Sequence, residues 1–288
     1  MLLMRVGDPL TEFPVVSTDG GAGWFDARPV TPDYDPAFFG GGGLDRLREA
    51  AASGGLRPVD TTGLRVGPPI SRPQAILCIG QNYAAHAAQQ GSPAPTEPIV
   101  FLKHPNTLRG PEDAVRVPLG GEKVDWEVEL GVVIGREARY LDTREEALPC
   151  VAGYTIVNDL SERAFQMERS GGQWSKGKSC EDFCPVGPWL AVDEIADPQS
   201  LGLRSWVNGE PRQDSTTADM LFDVAELVRE LSQFMVLSPG DLISTGTPQG
   251  VAMSGRYPYL RAGDVMTLEI DGLGRQSQRL IPADRDHR

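Results

Sequence analysis

Polar and apolar residues alternate along residues 124–130, which is the pattern of a β-strand with two different faces. Side chains two positions apart lie on the same face of a strand. Three apolar side chains therefore share one face, namely Trp126, Val128 and Leu130. Three carboxylates share the other face, namely Asp125, Glu127 and Glu129. Such alternation usually marks a solvated face beside a buried one, and it also allows carboxylates to converge on one point.

Short apolar runs separated by turn residues continue along the chain. They predict strands at residues 2–6, 14–17, 75–79, 99–103, 114–117, 124–134, 151–157, 189–192, 203–207, 242–244 and 265–270. The turns Asn208-Gly209 and Asp271-Gly272 predict hairpins. Helical patterns are fewer, at residues 44–52, 82–90, 161–168 and 223–234. Many short strands and few helices predict a β-rich α+β fold. The lack of a glycine-rich phosphate loop argues against a doubly wound nucleotide-binding fold.

The first part of the chain differs in character from the rest. Residues 1–70 are rich in glycine and proline, and Pro68, Pro69 and Pro73 mark a transition. We therefore expect a small N-terminal domain over residues 1–70 and a main domain over residues 71–288.

Composition limits the possible partners and the compartment. The chain has 288 residues and a formal net charge of −13, so its surface repels nucleic acid and anionic membranes, and neither is an expected partner. No apolar run is long enough to span a membrane, and the N-terminus does not resemble a signal peptide. The 4 cysteines lack the paired spacing of a zinc site. A cytoplasmic protein with reduced thiols is the expectation.

A further carboxylate follows the predicted strand at residues 151–157, at Asn158-Asp159. Carboxylates without a nearby histidine or cysteine suit the hard cations Mg²⁺ and Mn²⁺ better than zinc. His86 lies just after the strand at residues 75–79, where loop-to-helix transitions often carry functional groups. A packing or capping role is the alternative interpretation of this single histidine.

Taken together, these segments resemble the fumarylacetoacetate hydrolase family over residues 75–280. The order and spacing of the motifs carry the resemblance, and the motifs are Ile79-Gly80-Gln81-Asn82-Tyr83-Ala84-Ala85-His86, Asp125-Trp126-Glu127-Val128-Glu129-Leu130, Asn158-Asp159, Gly177-Lys178-Ser179, Asp182-Phe183-Cys184-Pro185-Val186-Gly187-Pro188-Trp189 and Thr245-Gly246-Thr247-Pro248. Residues 161–166, with Gln173-Trp174, are similar to the branch of 2,4-diketo-3-deoxy-sugar-acid hydrolases and of proteins labelled ureidoglycolate lyase.

The resemblance implies a mixed β-sandwich roll, a homodimer and a small-molecule 2-oxo acid substrate. It implies that Glu127, Glu129 and Asp159 hold Mg²⁺ or Mn²⁺. Such a metal polarises the substrate carbonyl and stabilises the enolate that remains after C–C cleavage. The main hypothesis is therefore a hydrolase of a 2,4-dioxo acid, either an acylpyruvate or a diketo sugar acid.

The resemblance also assigns roles to further side chains. Lys178 neutralises negative charge on the substrate or the enolate, Gln166 orients the substrate carboxylate, and His86 activates water or shuttles a proton. The remaining substrate contacts are assigned to Tyr83, Arg163, Gln173 and Thr247.

One departure from the family pattern bears on the reaction. Hydrolysing members usually pair this histidine with a glutamate three positions later, and Gln89 stands there in this chain, while Ala85 replaces a usual aspartate. Glutamine cannot stabilise an imidazolium with a full charge, so His86 is expected to be a weaker base. A decarboxylase or enol–keto isomerase of a 2-oxo dicarboxylate is the alternative enzyme, and a non-catalytic keto-acid binder is the alternative of another class.

Overall fold

The computed structural model describes residues 1–89 and 93–285. Its strands are β1 Leu2–Val6, β2 Phe13–Ser17, β3 Phe25–Asp26, β4 Val66–Gly67, β5 Ile76–Gly80, β6 Ile99–Lys103, β7 Leu108–Arg109, β8 Val115–Val117, β9 Val124–Asp125, β10 Val128–Ile134, β11 Val151–Asn158, β12 Ser161–Glu162, β13 Cys184–Pro185, β14 Leu190–Ala191, β15 Gly202–Val207, β16 Glu210–Thr216, β17 Leu242–Ser244, β18 Val265–Ile270 and β19 Gly274–Pro282.

Helices are short and few in these ranges. The α-helices are α1 Pro36–Gly40, α2 Gly43–Ala52, α3 Ala84–Gln89, α4 Ser175–Lys178 and α5 Val224–Leu231. Short 3₁₀ turns lie at Pro105–Thr107, Leu148–Cys150, Thr217–Asp219 and Ala252–Ser254, and a π-helix lies at Ala164–Glu168. No helix in the described ranges is long and apolar enough to cross a membrane.

Two large sheets organise the fold. Within the described ranges the larger sheet has ten strands in the order β3-β2-β1-β14-β11-β10-β17-β5-β6, with β4 pairing to β1 outside this path. The smaller sheet has the order β16-β15-β18-β19-β8. Both hairpins predicted from Asn208-Gly209 and Asp271-Gly272 are confirmed, since β15 pairs with β16 and β18 pairs with β19.

The core lies on both faces of the larger sheet, because its central strands are buried throughout. Val128 and Leu130 of β10 pack with Leu203 and Leu268 of the smaller sheet. Val133, on the opposite face of β10, packs in the cluster that contains the side chains of α1 and α2. The result is a β-rich sandwich with helices outside it, which confirms the predicted fold class.

Two local predictions were wrong. The strand predicted over residues 124–134 is interrupted at Trp126 and Glu127, because β9 pairs with β12 whereas β10 pairs with β11. The helix predicted over residues 161–168 is instead a short strand followed by the π-helix at Ala164–Glu168. The predicted helix over residues 82–90 is present as α3, and its last residue, Gln90, lies outside the described residues.

The N-terminal segment contributes strands to the larger sheet. Strand β1 pairs with β14, with Leu2 opposite Ala191, and β2 continues the sheet beyond β1. Leu3 and Val16 share a hydrophobic cluster with Ile76 and Leu242. The division into domains at residue 70 stays a prediction.

Candidate metal and substrate site

Three buried carboxylates converge where β10 and β11 pair. Glu127, Glu129 and Asp159 each offer an oxygen atom, and these atoms lie within 4.8 Å of one another. In the antiparallel register of β10 and β11, Val128 lies opposite Asn158. Glu127 directly precedes Val128 and Asp159 directly follows Asn158, so both carboxylates lie at the same end of the two paired strands. The backbone N–H of Asp159 donates to the Glu127 carbonyl at 3.0 Å, which fixes this approach.

Glu129 has the least compensated charge of the three. Burial raises the pKa of its carboxyl well above the usual range, and the negative charges of Asp159 and Glu127 add to the effect. Its Oε2 atom accepts hydrogen bonds from the Ser244 hydroxyl at 2.6 Å and from the Gly246 N–H at 2.8 Å. A divalent cation would offset these charges, and an all-carboxylate donor set suits Mg²⁺ or Mn²⁺. The residues therefore fit a hard divalent cation.

Two buried lysines contact the same carboxylates. The Lys178 ammonium group donates to the Glu127 carboxylate and, at 2.7 Å, to Oδ2 of Asp159. The Lys103 ammonium group donates to Oδ1 of Asp159 at 2.5 Å and to the Leu160 carbonyl at 2.8 Å. Sequence reasoning missed Lys103 as a site residue, since it ends an ordinary apolar strand and its partner is 56 positions away.

Arg163 joins the triad to the neighbouring polar side chains. Its guanidinium donates to Glu127 at 2.6 Å, to Asp125 at 2.9 Å and to the side-chain oxygen of Gln166 at 2.9 Å. Burial alone would raise the pKa of Glu127, but the positive charges of Lys178 and Arg163 outweigh it and hold that pKa below its usual range. Glu127 is therefore ionised, as a metal ligand must be.

A cavity of about 230 Å³ opens beside the triad. It brings together most of the side chains predicted from the sequence, and those in its lining are His86, Glu127, Glu129, Arg163, Gln166, Lys178 and Thr247. Its other lining side chains were not predicted: Ile79, Gln81, Phe101, Met167, Trp174 and Met253. Asp159 is fully buried and is not part of the lining.

Two predicted substrate contacts lie elsewhere. Tyr83 is buried in the main core, and its backbone forms a bridge with Met220. Gln173 is exposed on a shallow groove that also contains Trp174 and Leu102. The cavity therefore does not include Tyr83 or Gln173, and their assignment to the substrate stays a prediction.

Asn82 fixes the position of His86 on α3. Its side-chain amide donates to the carbonyls of Thr245 at 2.7 Å and Phe222 at 3.0 Å, and its oxygen accepts from the Phe222 N–H at 2.8 Å. The preceding residue, Gln81, has a positive φ of 54°, which turns the chain sharply after β5. These contacts hold the start of α3 against the loop that carries Thr247.

The electrostatic surroundings keep the His86 imidazole neutral. Burial lowers the pKa of His86 to about 4, with Glu127 opposing the shift and Arg163 and Lys178 adding to it. Near neutral pH the ring is therefore able to accept a proton, although it is a weak base.

Comparison with known proteins identifies the family. The model of the fumarylacetoacetate (FAA) hydrolase C-terminal family matches residues 75–281. The chain belongs to the fumarylacetoacetate hydrolase family. The family assignment made from the sequence motifs is confirmed, while the narrower likeness to the diketo-sugar-acid branch stays a prediction.

Relatives of this family member cover nearly the whole chain. A Burkholderia multivorans protein named "Putative hydrolase" is 46% identical over 283 residues, which is 96% of this chain and 98% of that protein. The 5-carboxymethyl-2-hydroxymuconate delta-isomerase from Mycobacterium smegmatis is 31% identical, with a TM-score of 0.77 over 99% of this chain and 100% of that chain. Maleylpyruvate hydrolase from Sphingobium sp. SYK-6, solved with manganese(II) and pyruvate, is 29% identical, with a TM-score of 0.80 over 99% of this chain and 100% of that chain.

Proposed function

We propose that this protein is a Mg²⁺- or Mn²⁺-dependent hydrolase that cleaves a C–C bond in a 2,4-dioxo acid, either an acylpyruvate or a diketo sugar acid. The observation that carries the proposal is the buried triad of Glu127, Glu129 and Asp159 beside a cavity that also contains His86 and Lys178. The manganese and pyruvate bound by the maleylpyruvate hydrolase support it. We further propose a cytoplasmic homodimer.

The residues around the cavity have distinct roles in this reaction. A divalent cation held by Glu127, Glu129 and Asp159 would supply Lewis-acid polarisation of the 2-oxo carbonyl. Lys178 adds positive charge where the enolate develops, and Gln166 and Thr247 orient the substrate carboxylate. His86, neutral near pH 7, accepts a proton from the water that attacks the distal carbonyl.

The overall reaction is balanced by one water molecule. The hydroxyl of that water bonds to the acyl carbon while the C–C bond to the methylene breaks. The methylene carbon takes up a proton to become the methyl group of pyruvate, and the acyl part leaves as a carboxylic acid. In this proposal His86 passes the proton from the water toward that carbon.

Decarboxylation or enol–keto isomerisation of a 2-oxo dicarboxylate is the second candidate. The observation that favours it is Gln89, which lies one helical turn after His86 and whose side-chain oxygen accepts from the Gly250 N–H at 3.3 Å. A neutral amide at this position supplies no negative charge to stabilise an imidazolium. The structural similarity to an isomerase supports the same alternative.

A proton NMR time course tests these reactions directly. Purified protein with Mg²⁺ or Mn²⁺ is mixed with acylpyruvates, oxaloacetate and a 2,4-dioxo sugar acid, with a metal-only control. We expect pyruvate and a second acid from the diketo substrates. Decarboxylation or solvent deuterium exchange without cleavage would instead favour the second candidate, and binding without turnover would leave only a keto-acid binder.

A ligand variant tests the metal assignment separately. Glu129→Ala is expected to abolish both manganese binding, measured by calorimetry, and turnover. Glu181→Gln, an exposed carboxylate outside the triad, is the matched control and retains both. Full metal stoichiometry in Glu129→Ala would refute the assignment.

A further inference from the structure

An apolar wall forms part of the cavity lining, and its aromatic side chains are Phe101 and Trp174. The Phe101 and Trp174 rings meet edge to face, with centroids 5.4 Å apart and an interplanar angle of 60°. Ile79, Met167 and Met253 are the other apolar side chains in the lining. Apolar walls of this kind gain free energy by covering apolar ligand surface.

The backbone fixes the position of Trp174. A Cβ atom at Gly80 would lie 2.6 Å from the Trp174 ring, so the indole rests directly on β5. The Lys178 ammonium group lies 5.1 Å from the centroid of the Phe101 ring, which places the aromatic wall directly beside the charged end. A ligand bound at the triad therefore lies close to the aromatic rings.

The cationic side chains Arg163 and Lys178, which line the cavity, already form ion pairs with carboxylates of the protein. Arg163 uses three of its nitrogen atoms on Asp125, Glu127 and Gln166. Lys178 donates to Glu127, and to both the carboxylate and the carbonyl oxygen of Asp159. Apart from these two, His86 is the only basic residue in the lining formed by the described residues, and the proposed reaction uses it for proton transfer.

From this arrangement we infer that the preferred substrate is a 2,4-dioxo monocarboxylate whose acyl group is apolar or aromatic and carries no second carboxylate. The inference rests on the proposed function for the identity of the reacting end. A distal carboxylate would be desolvated against Phe101 and Trp174 without a cation to pair with. The formal net charge of −13 on the chain further disfavours the binding of a dianionic substrate.

A matched set of acylpyruvates tests the specificity. Acetylpyruvate, benzoylpyruvate and 4-carboxybenzoylpyruvate share the reacting end and differ only in the distal group. With Mn²⁺ present, we expect kcat/KM for benzoylpyruvate to exceed both of the others by about tenfold or more. Binding can also be measured without turnover. We expect phenylpyruvate to bind the manganese-loaded protein more tightly than 4-carboxyphenylpyruvate, as measured by calorimetric Kd values.

Two variants test whether the apolar wall determines the preference for the acyl group of the substrate. Trp174→Ala is expected to reduce the kcat/KM ratio of benzoylpyruvate to acetylpyruvate. Met167→Arg places a cation at the rim and is expected to raise the relative kcat/KM for 4-carboxybenzoylpyruvate by about tenfold. Leu148→Arg adds the same charge at a position of similar exposure outside the cavity (45% against 48% for Met167) and should leave the preference unchanged.

The outcomes separate the inference from the proposed function. Cleavage of all three substrates without a preference for benzoylpyruvate, or with a preference for its carboxylated analogue, would overturn the inference and leave the hydrolase proposal intact. Tighter binding of phenylpyruvate without cleavage of any acylpyruvate would support the inference and overturn the hydrolase proposal. Equal Kd values without cleavage would overturn both.

Discussion

The ammonium group of Lys103 lies 2.5 Å from the carboxylate of Asp159, and both side chains are almost completely buried. Removing Lys103 would leave Lys178 as the remaining buried cation at Asp159, so the negative charge of the triad would be compensated less well. Lys103 therefore contacts the triad from within the protein interior and is not part of the cavity lining.

Lys103→Met is expected to lower the free energy of unfolding of the metal-free protein by about 3–5 kcal/mol. Mn²⁺ should restore more stability to this variant than to the parent, because the cation then supplies the missing positive charge. Urea unfolding with EDTA and with Mn²⁺ measures both effects. In the control Lys176→Met, an exposed lysine is replaced and a change within about 0.5 kcal/mol is expected.

The hydroxyl of Ser244 orients the Glu129 carboxylate. Ser244→Ala removes the 2.6 Å hydrogen bond to Oε2 and keeps the one from the Gly246 N–H. Manganese affinity is expected to fall by about 10–100-fold, since partners that orient metal ligands typically contribute this much. Calorimetric titration measures the loss. Ser71→Ala, at another buried serine whose hydroxyl contacts no hydrogen-bond partner in the described chain, should leave the affinity unchanged.

The low pKa of His86 has a consequence for stability in acid. The pKa of His86 in the folded chain, about 4, lies below the ordinary histidine value of 6.5, so the unfolded chain takes up the proton first as the pH falls. Relative to His86→Gln, the parent should therefore lose about 2 kcal/mol of unfolding free energy between about pH 7 and pH 5. Urea unfolding in EDTA at several pH values measures this. A difference that stays constant over that range would mean that the imidazole is not desolvated in solution.

Gly177 allows α4 to lie directly against the π-helix. A Cβ atom at this position would lie 2.4 Å from the Gln166 backbone nitrogen and 2.5 Å from the Glu162 carbonyl oxygen. Gly177→Ala is therefore expected to displace Lys178 and to lower kcat by about 100-fold, as misplacement by about 1 Å can do. Gly55→Ala, where a Cβ would meet its nearest neighbour at 3.4 Å, is the control and should keep the parent's rate.

Gln89→Glu tests whether His86 is limited by its neutral neighbour. A carboxylate one turn away favours the imidazolium, so we expect the rate of acylpyruvate hydrolysis to rise by about tenfold. The glutamate can still accept from the Gly250 N–H, which keeps the loop contact. The gain should vanish in the double variant with His86→Ala. An unchanged rate in Gln89→Glu would show that His86 acts without a partner at this position.

The face on which the acidic residues lie could be predicted from the order of residues alone. Side chains in a strand alternate with a period of two, and this pattern separated Glu127 and Glu129 from Trp126, Val128 and Leu130, although the strand is interrupted at Trp126 and Glu127. All three of these apolar side chains lie in the main core, while the two glutamates line the cavity. The motifs in addition identified the family, because their order and spacing are encoded along the chain.

The surroundings of the carboxylates depend on contacts between distant parts of the chain. Ser244 reaches Glu129 across 115 positions, and Lys103 reaches Asp159 across 56, so no local pattern marks either pair. The aromatic wall likewise joins Phe101 of one strand to Trp174 near α4. Tertiary packing creates these contacts, because it brings distant strands and the segment before α4 together and thereby sets the charge balance and shape of the cavity.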